Sequence, residues 1–257
     1  MFAAYYHRWN LRHAIVVSVL ALAVASGYLV DAAPAVALSA AAAAALALWS
    51  SAALLALYRA GRRGLPGRMG SGVSNLLTAS RGACAVGLFV LVALRPELSP
   101  ARSWMLVTIL GLVELTDFLD GFTARRAARD GVVSDFGPTW DMEHDALFTL
   151  AISLVLVVFY AVPAPVLAIG LMRYLYVVAC RVDGDPLILP RAYKLFAKTV
   201  AASIVITGIV TLAPIIPGWL RLSSLSVVLL LQTVSFGWDW ILQRRSRPAV
   251  VVSGAES

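Results

Sequence analysis

Residues 117–145 read DFLDGFTARRAARDGVVSDFGPTWDMEHD, and this stretch inserts carboxylates into an otherwise strongly apolar chain. If its first half is helical, residues spaced at i, i+3, i+4 and i+7 share one face, because an α-helix repeats every 3.6 residues. These residues are Asp117, Asp120, Gly121 and Ala124. In the second half, the residues at i, i+4 and i+8 are Gly137, Asp141 and Asp145. A turn between the halves predicts a helical hairpin in which the four aspartates meet.

Four carboxylates at such close range need a compensating charge. Like charges repel, and their removal from water raises the energy further. The stretch therefore requires a cation, and a set of ligands made only of oxygen atoms indicates a hard divalent metal such as Mg²⁺. His144 has no histidine or cysteine partner at ligand spacing, so we interpret it as a bystander.

The composition is that of a membrane protein. Of 257 residues, 60% are hydrophobic and 14% are charged, and the mean hydropathy is +0.84; a soluble domain has about a quarter of its residues charged. The net charge of +7 comes from basic residues beside apolar runs, which predicts contact with anionic lipids and no nucleic acid. Arginine greatly outnumbers lysine and alanine runs are long, as is typical of a GC-rich bacterial genome.

Apolar runs separated by proline and glycine predict an all-α fold, a polytopic membrane bundle of about eight transmembrane helices. The runs lie near 13–30, 34–58, 75–94, 103–125, 138–160, 163–180, 192–212 and 219–242. We divide the chain into two N-terminal helices (1–60), a basic interfacial linker (61–74), a six-helix core (75–242) and a cytoplasmic tail (243–257). A signal peptide is the alternative for the first run, but its length and the second run directly after it favour a retained helix.

Basic residues predict the orientation in the membrane. With the N-terminus in the cytoplasm, fifteen arginines and lysines fall in the inside segments, and only Arg95, Arg102 and Arg221 fall outside. This asymmetry places both termini in the cytoplasm. The acidic hairpin then opens at the cytoplasmic face of a bacterial inner membrane, where soluble substrates and lipids can both reach it.

The remaining charged residues allow two interpretations each. Acidic residues near a helix end can simply face water, and Glu114 and Glu143 fit that description, whereas aspartates inside an apolar run indicate function. Buried cations can neutralise the aspartates or bind phosphate. The two interpretations are balanced for Arg173, and phosphate is favoured for Lys198. Lys194 lies one turn before Lys198, and Arg81 lies near the start of the third run.

At these residues the sequence resembles the CDP-alcohol phosphatidyltransferase family, whose signature is D-x2-D-G-x2-A-R, a gap, and G-x3-D-x3-D. Every fixed position is present, and they are Asp117, Asp120, Gly121, Ala124, Arg125, Gly137, Asp141 and Asp145. The segments 74–81 and 194–199 are also similar to family elements. The gap between Arg125 and Gly137 is longer than is usual for the family, which lengthens the turn and need not move either stripe.

The resemblance implies an enzyme that transfers a phosphatidyl group from CDP-diacylglycerol, or a related CDP-alcohol, to an alcohol acceptor and releases CMP. It implies a metal site at Asp117, Asp120, Asp141 and Asp145 for two Mg²⁺ or Mn²⁺ ions. Asp145 would be the general base. The cytidine diphosphate would contact Asp120, Gly121, Ala124, Arg125 and Gly137. Family members are commonly homodimers.

Two questions stay open at the level of sequence. The acceptor is one: Arg173 and Lys198, with Lys194 and Arg81, favour an acceptor that bears phosphate, such as glycerol 3-phosphate or inositol phosphate. The alternative acceptors are serine, choline-type alcohols and a second lipid. The other is a competing function, because intramembrane aspartates also build metal-ion or proton transporters. A transporter predicts acidic residues throughout the membrane depth, whereas here they cluster at one end.

Overall fold

The computed structural model describes residues 2–30, 33–64, 72–127, 136–180 and 191–246. Within these ranges the fold is all-α, as predicted, and no strand is present. The eight helices are α1 (Phe2–Leu29), α2 (Ala33–Gly64), α3 (Gly72–Leu94), α4 (Pro100–Ala127), α5 (Phe136–Tyr160), α6 (Leu167–Cys180), α7 (Arg191–Thr211) and α8 (Gly218–Ser246). A short 3₁₀ turn, Ala164–Val166, precedes α6.

Six of these helices are long and apolar enough to cross a membrane: α1, α2, α3, α5, α7 and α8. The apolar part of α6 with its 3₁₀ turn is shorter, Ala164–Ala179, and α4 carries the first acidic stripe. Exposed tryptophans mark both ends of α8, Trp219 and Trp238, and the rise of a helix separates them by about 29 Å. That distance matches the hydrocarbon core of a bilayer, whose borders favour tryptophan. The chain is an integral membrane protein with a helical bundle.

Helix α5 lies at the centre of the bundle. Its apolar span is 72% buried, against 22% for α8. Every residue from Ala146 to Val157 except Thr149 is buried, and a helix that is apolar on most sides is covered by its neighbours. Small residues bring its neighbours close. A Cβ added at Gly170 of α6 would overlap the backbone of Leu150, so glycine is required at this crossing.

Consecutive helices run in opposite directions, so polar side chains at the helix ends lie at the two ends of the bundle. One end holds Tyr6, Arg81, Glu143 and Arg173, from α1, α3, α5 and α6, and we call it the site end. The opposite end, which we call the far end, contains Tyr160. The hydroxyl group of Tyr160 donates to the carbonyl oxygen of Leu212, 2.7 Å away. The start of α5, with Asp141 and Asp145, thus lies at the site end of the bundle.

Helix α1 begins at Phe2, earlier than the first apolar run near His13. Aromatic residues explain the extension, because Tyr6, Trp9 and His13 follow one another at helical spacing on one face. The rings of Trp9 and His13 stack with their centroids 4.6 Å apart, and His13 is fully buried. The basic, aromatic segment before the apolar run is therefore part of the packed bundle.

Candidate active site

The second acidic stripe is helical, as predicted, and lies in the first turns of α5. The side chains of Asp141 and Asp145 are 50% and 45% exposed, so about half of each side chain faces solvent. Gly137 stands one turn before them, and no described atom lies within 4 Å of the position that its Cβ would occupy. The site end of α5 therefore presents two half-exposed carboxylates after a glycine that no described atom approaches.

Arg81 of α3 is the cation that faces these carboxylates in the structure. Its Nη1 atom donates to Oδ1 of Asp145 and lies 4.0 Å from Oδ1 of Asp141. Its Nη2 atom donates to Oε2 of Glu114 in α4, at 3.2 Å. The guanidinium is 95% buried, which strengthens each of these charge interactions. Arg81 thus joins α3, α4 and α5, and Glu114 is paired rather than simply exposed to water.

The first acidic stripe lies in the last turns of α4, which continues to Ala127. The backbone there is helical, as the spacing required. The side chains of Asp117, Asp120, Gly121, Ala124 and Arg125 lie outside the described part of the structure, as do residues 128–135 of the turn. Among the side chains that are described, no three histidines, cysteines or carboxylates are grouped closely enough to hold a metal ion.

Glu143 does not face water, contrary to the interpretation that its place near a helix end allowed. Its side chain is fully buried and bonds to Nη2 of Arg173 in α6. It lies two residues from both Asp141 and Asp145, and two residues of a helix turn through about 200°. Glu143 therefore points away from the exposed aspartates and into the bundle.

Helix α1 completes the surroundings of Glu143. The hydroxyl group of Tyr6 donates to Oε1 of Glu143 at 2.7 Å and accepts from Arg173 at 3.2 Å. Burial, and then the charge of Glu143, raise the pKa of Tyr6 well above its usual range, so it stays a neutral donor. We call Tyr6, His13, Glu143 and Arg173 the buried polar cluster.

His13 adds a second contact to this cluster. The indole of Trp49 donates to Nδ1 of His13 at 3.1 Å, so a neutral ring carries its proton on Nε2. That atom lies 3.9 Å from Oε2 of Glu143. Both oxygens of the carboxylate are thus approached by side chains of α1.

The predicted phosphate-binding cations differ in their surroundings. Lys194 and Lys198 lie one turn apart on α7 and are exposed, so a soluble or lipid phosphate can reach them. Arg173 is ion-paired with Glu143, and 20% of its side chain is exposed. A phosphate role for these residues, and for Arg81, stays a prediction.

His144 packs as a core residue, in line with its interpretation as a bystander. It is 1% exposed, and its Nδ1 atom lies 2.7 Å from the carbonyl oxygen of Trp140. A Cβ added at Gly82 of α3 would overlap its ring. His144 and Gly82 therefore set the close approach of α3 to α5 beside Arg81.

The contacts of the buried polar cluster were not predicted from the sequence. The partners of Glu143 are 30 and 137 residues away along the chain, so no local spacing reveals them. One signal was available, because Tyr6, Trp9 and His13 form an aromatic stripe at helical spacing in a basic segment. Such a stripe predicts docking against other helices.

Together, the fold and the site define an integral membrane protein whose carboxylates and cations converge at one end of a helical bundle. A family model described as CDP-alcohol phosphatidyltransferase matches residues 72–240. The chain belongs to the CDP-alcohol phosphatidyltransferase family, and it is a transferase of substituted phosphate groups in phospholipid synthesis. Searches among curated proteins and among solved structures find no match. The matched segment begins at the first residue of α3, so α1 and α2 lie outside it.

Proposed function

We propose that the enzyme transfers a phosphatidyl group from CDP-diacylglycerol, or a related CDP-alcohol, to an alcohol acceptor at the site end of α5. The acceptor hydroxyl attacks the lipid-side phosphorus of the diphosphate, the bond from that phosphorus to the bridging oxygen breaks, and CMP leaves. The carboxylate of Asp145 takes the proton of the hydroxyl. The observation that supports this most is the pair of half-exposed carboxylates, Asp141 and Asp145, at the signature positions of the family.

Two divalent ions, Mg²⁺ or Mn²⁺, are part of the proposal. Asp117, Asp120, Asp141 and Asp145 would hold them. The described donors fit, because Asp141 and Asp145 offer only carboxylate oxygens, lie one helical turn apart and are open to solvent. When bound, such ions neutralise a diphosphate and its departing phosphate.

The nucleotide would lie against the first stripe and the start of α5. Asp120, Gly121, Ala124 and Arg125 are the family's positions for cytidine diphosphate, and Gly137 completes them. The glycine itself supports that assignment, since a ligand can come close to a backbone that has no side chain there, and no described atom lies within 4 Å of the position of its Cβ.

The acceptor is proposed to bear a phosphate, such as glycerol 3-phosphate or inositol phosphate. Exposure of Lys194 and Lys198 on α7 supports this, because two ammonium groups one turn apart attract a dianion. Arg81 and Arg173 would assist from inside the bundle. Each of them is already bonded to a carboxylate, so the lysines are the stronger candidates.

We further propose that the enzyme lies in a bacterial inner membrane with both termini and the site end in the cytoplasm. The excess of basic residues in the segments assigned to the inside supports this orientation. The catalytic core would comprise 75–242, with 1–60 as two added helices, 61–74 as an interfacial linker and 243–257 as a tail. A homodimer is proposed from the family alone.

An assay of CMP release tests the proposal. The full chain in lipid nanodiscs receives CDP-diacylglycerol, Mg²⁺ or Mn²⁺, and one acceptor at a time, and products are identified by lipid mass spectrometry. CMP and a new phospholipid should form together with one acceptor class and should stop when the metal is chelated. Flux of metal or protons across liposomes, with no CMP release for any acceptor, would instead support the transporter.

A further inference from the structure

The helix α5 is held by charged contacts on two opposite faces. On the exposed face, Arg81 of α3 contacts Asp145 and approaches Asp141. On the opposite face, Arg173 of α6 contacts Glu143. Two guanidinium groups thus restrain the rotation of α5 from opposite sides, in addition to the apolar packing of its span.

The second contact is completed by a helix outside the family-matched segment. Tyr6 bridges both partners of the Glu143–Arg173 pair, with its oxygen 2.7 Å from Glu143 and 3.2 Å from Arg173. Nε2 of His13 lies 3.9 Å from the other carboxylate oxygen. His13 and Glu143 are both fully buried, and charge interactions are stronger in such low-dielectric surroundings.

We infer that α1 is a positioning element of the transferase, and that Tyr6 acts on catalysis through Glu143 and Arg173. By fixing the buried face of α5, it sets where the carboxylates of Asp141 and Asp145 stand relative to the diphosphate. The inference rests on the proposed function of those two aspartates. Tyr6 and Glu143 are positioning residues, because they contact one another and Arg173 rather than the exposed site.

A positioning role predicts a loss of turnover rather than of donor binding. A small displacement of a catalytic base or of a metal-ligating side chain slows the chemical step strongly. The donor, CDP-diacylglycerol, can still bind through the rest of its contacts. Tyr6→Phe removes one hydroxyl group and keeps the ring that stacks near Trp9. We expect it to lower kcat about tenfold and to change the KM for CDP-diacylglycerol less than about twofold.

The test compares four variants of the full chain in nanodiscs, with CMP release normalised to folded protein. Tyr28→Phe is the matched control, since Tyr28 lies on the same helix at the far end beside Arg95. Glu143→Gln and the double variant Tyr6→Phe/Glu143→Gln measure coupling. If Tyr6 acts through Glu143, the double variant should be no slower than Glu143→Gln alone.

Two results would overturn the inference. One is a kcat for Tyr6→Phe that equals that of Tyr28→Phe. The other is a double variant whose loss of kcat equals the product of the losses in Tyr6→Phe and Glu143→Gln. Should Glu143→Gln not fold, Glu143→Asp, which keeps the charge and withdraws the carboxylate from Tyr6, replaces it in the same cycle. Asp145→Asn is measured alongside: if it keeps full turnover, the proposed function fails, whereas an inactive Asp145→Asn beside a fully active Tyr6→Phe refutes only the role of α1.

Discussion

Asp141, Glu143 and Asp145 lie within two turns of one helix, yet their side chains have different surroundings. The two aspartates are about half exposed, whereas Glu143 is fully buried against Arg173. A buried carboxylate is stable only with a counter-charge and hydrogen bonds. Glu143 has Arg173, Tyr6 and the nearby ring of His13. Glu143 therefore stabilises the bundle, whereas the two aspartates lie half exposed at the start of α5.

The buried pair makes a first prediction at the residue scale. Arg173→Met alone should lower the free energy of unfolding by about 3–5 kcal/mol, because Glu143 would remain buried without its guanidinium partner. Glu143→Leu combined with Arg173→Met should recover most of this loss. Thermal melting in detergent measures both. A double variant as unstable as Arg173→Met would contradict the ion-pair account.

The same double variant separates structure from acceptor binding. If Arg173 also binds an acceptor phosphate, stability should return while the KM for the acceptor stays raised. Lys198→Ala provides the comparison, because Lys198 is exposed and its loss should raise the acceptor KM without lowering the melting temperature.

At the scale of elements, the close crossing of α5 and α6 depends on glycine at position 170, which has no side chain. Gly170 approaches the backbone of Leu150, so Gly170→Ala should force the helices apart and destabilise the protein by about 1–3 kcal/mol. Gly111→Ala in α4 is the matched control, since no described atom lies within 4 Å of its added Cβ. The melting temperatures of the two variants test this prediction. Equal values would show that the crossing tolerates a methyl group.

The far end offers an element-scale prediction that should spare catalysis. Tyr160 bonds to the carbonyl oxygen of Leu212 and its ring faces the guanidinium of Arg221, 4.6 Å away. Arg221 in turn donates to the carbonyl oxygen of Thr211 at 2.7 Å. Arg221→Met should lower the unfolding free energy by about 1–3 kcal/mol. Its kcat and KM per folded enzyme should equal those of the wild type, and a changed kcat would show that the far end affects the site.

The helices could be predicted from the sequence where they depend on local residue spacing. The helix containing Asp141 and Asp145 follows from residues at i and i+4 in an apolar run, and proline or glycine marks most helix ends. The start of α1 at Phe2 could not be read in this way, because the segment around Tyr6 is short, aromatic and basic, and its partners on α5 and α6 are far away along the chain. Likewise, nothing near Glu143 in the sequence identifies Arg173 as its partner.

At the scale of the whole molecule, the orientation in the membrane is testable with single cysteines. In a background of Cys84→Ala and Cys180→Ala, Lys194→Cys should lie at the site end and Glu97→Cys at the far end. A membrane-impermeant maleimide added to intact bacterial cells should label only the residue at position 97. Labelling of position 194 alone would reverse the proposed topology, and labelling after lysis controls for accessibility of both sites.

The most direct test of the central claim concerns Asp145 in the intact, membrane-embedded enzyme. Asp145→Asn changes a carboxylate to an amide of nearly the same shape, so CDP-diacylglycerol should still bind, within about tenfold of the wild-type Kd, while CMP release falls by at least about 10²-fold. Asp239→Asn, at the contact of α8 with Tyr176, is the control and should keep wild-type turnover. Wild-type CMP release by Asp145→Asn would contradict the assignment of this end of α5 as the site of phosphatidyl transfer.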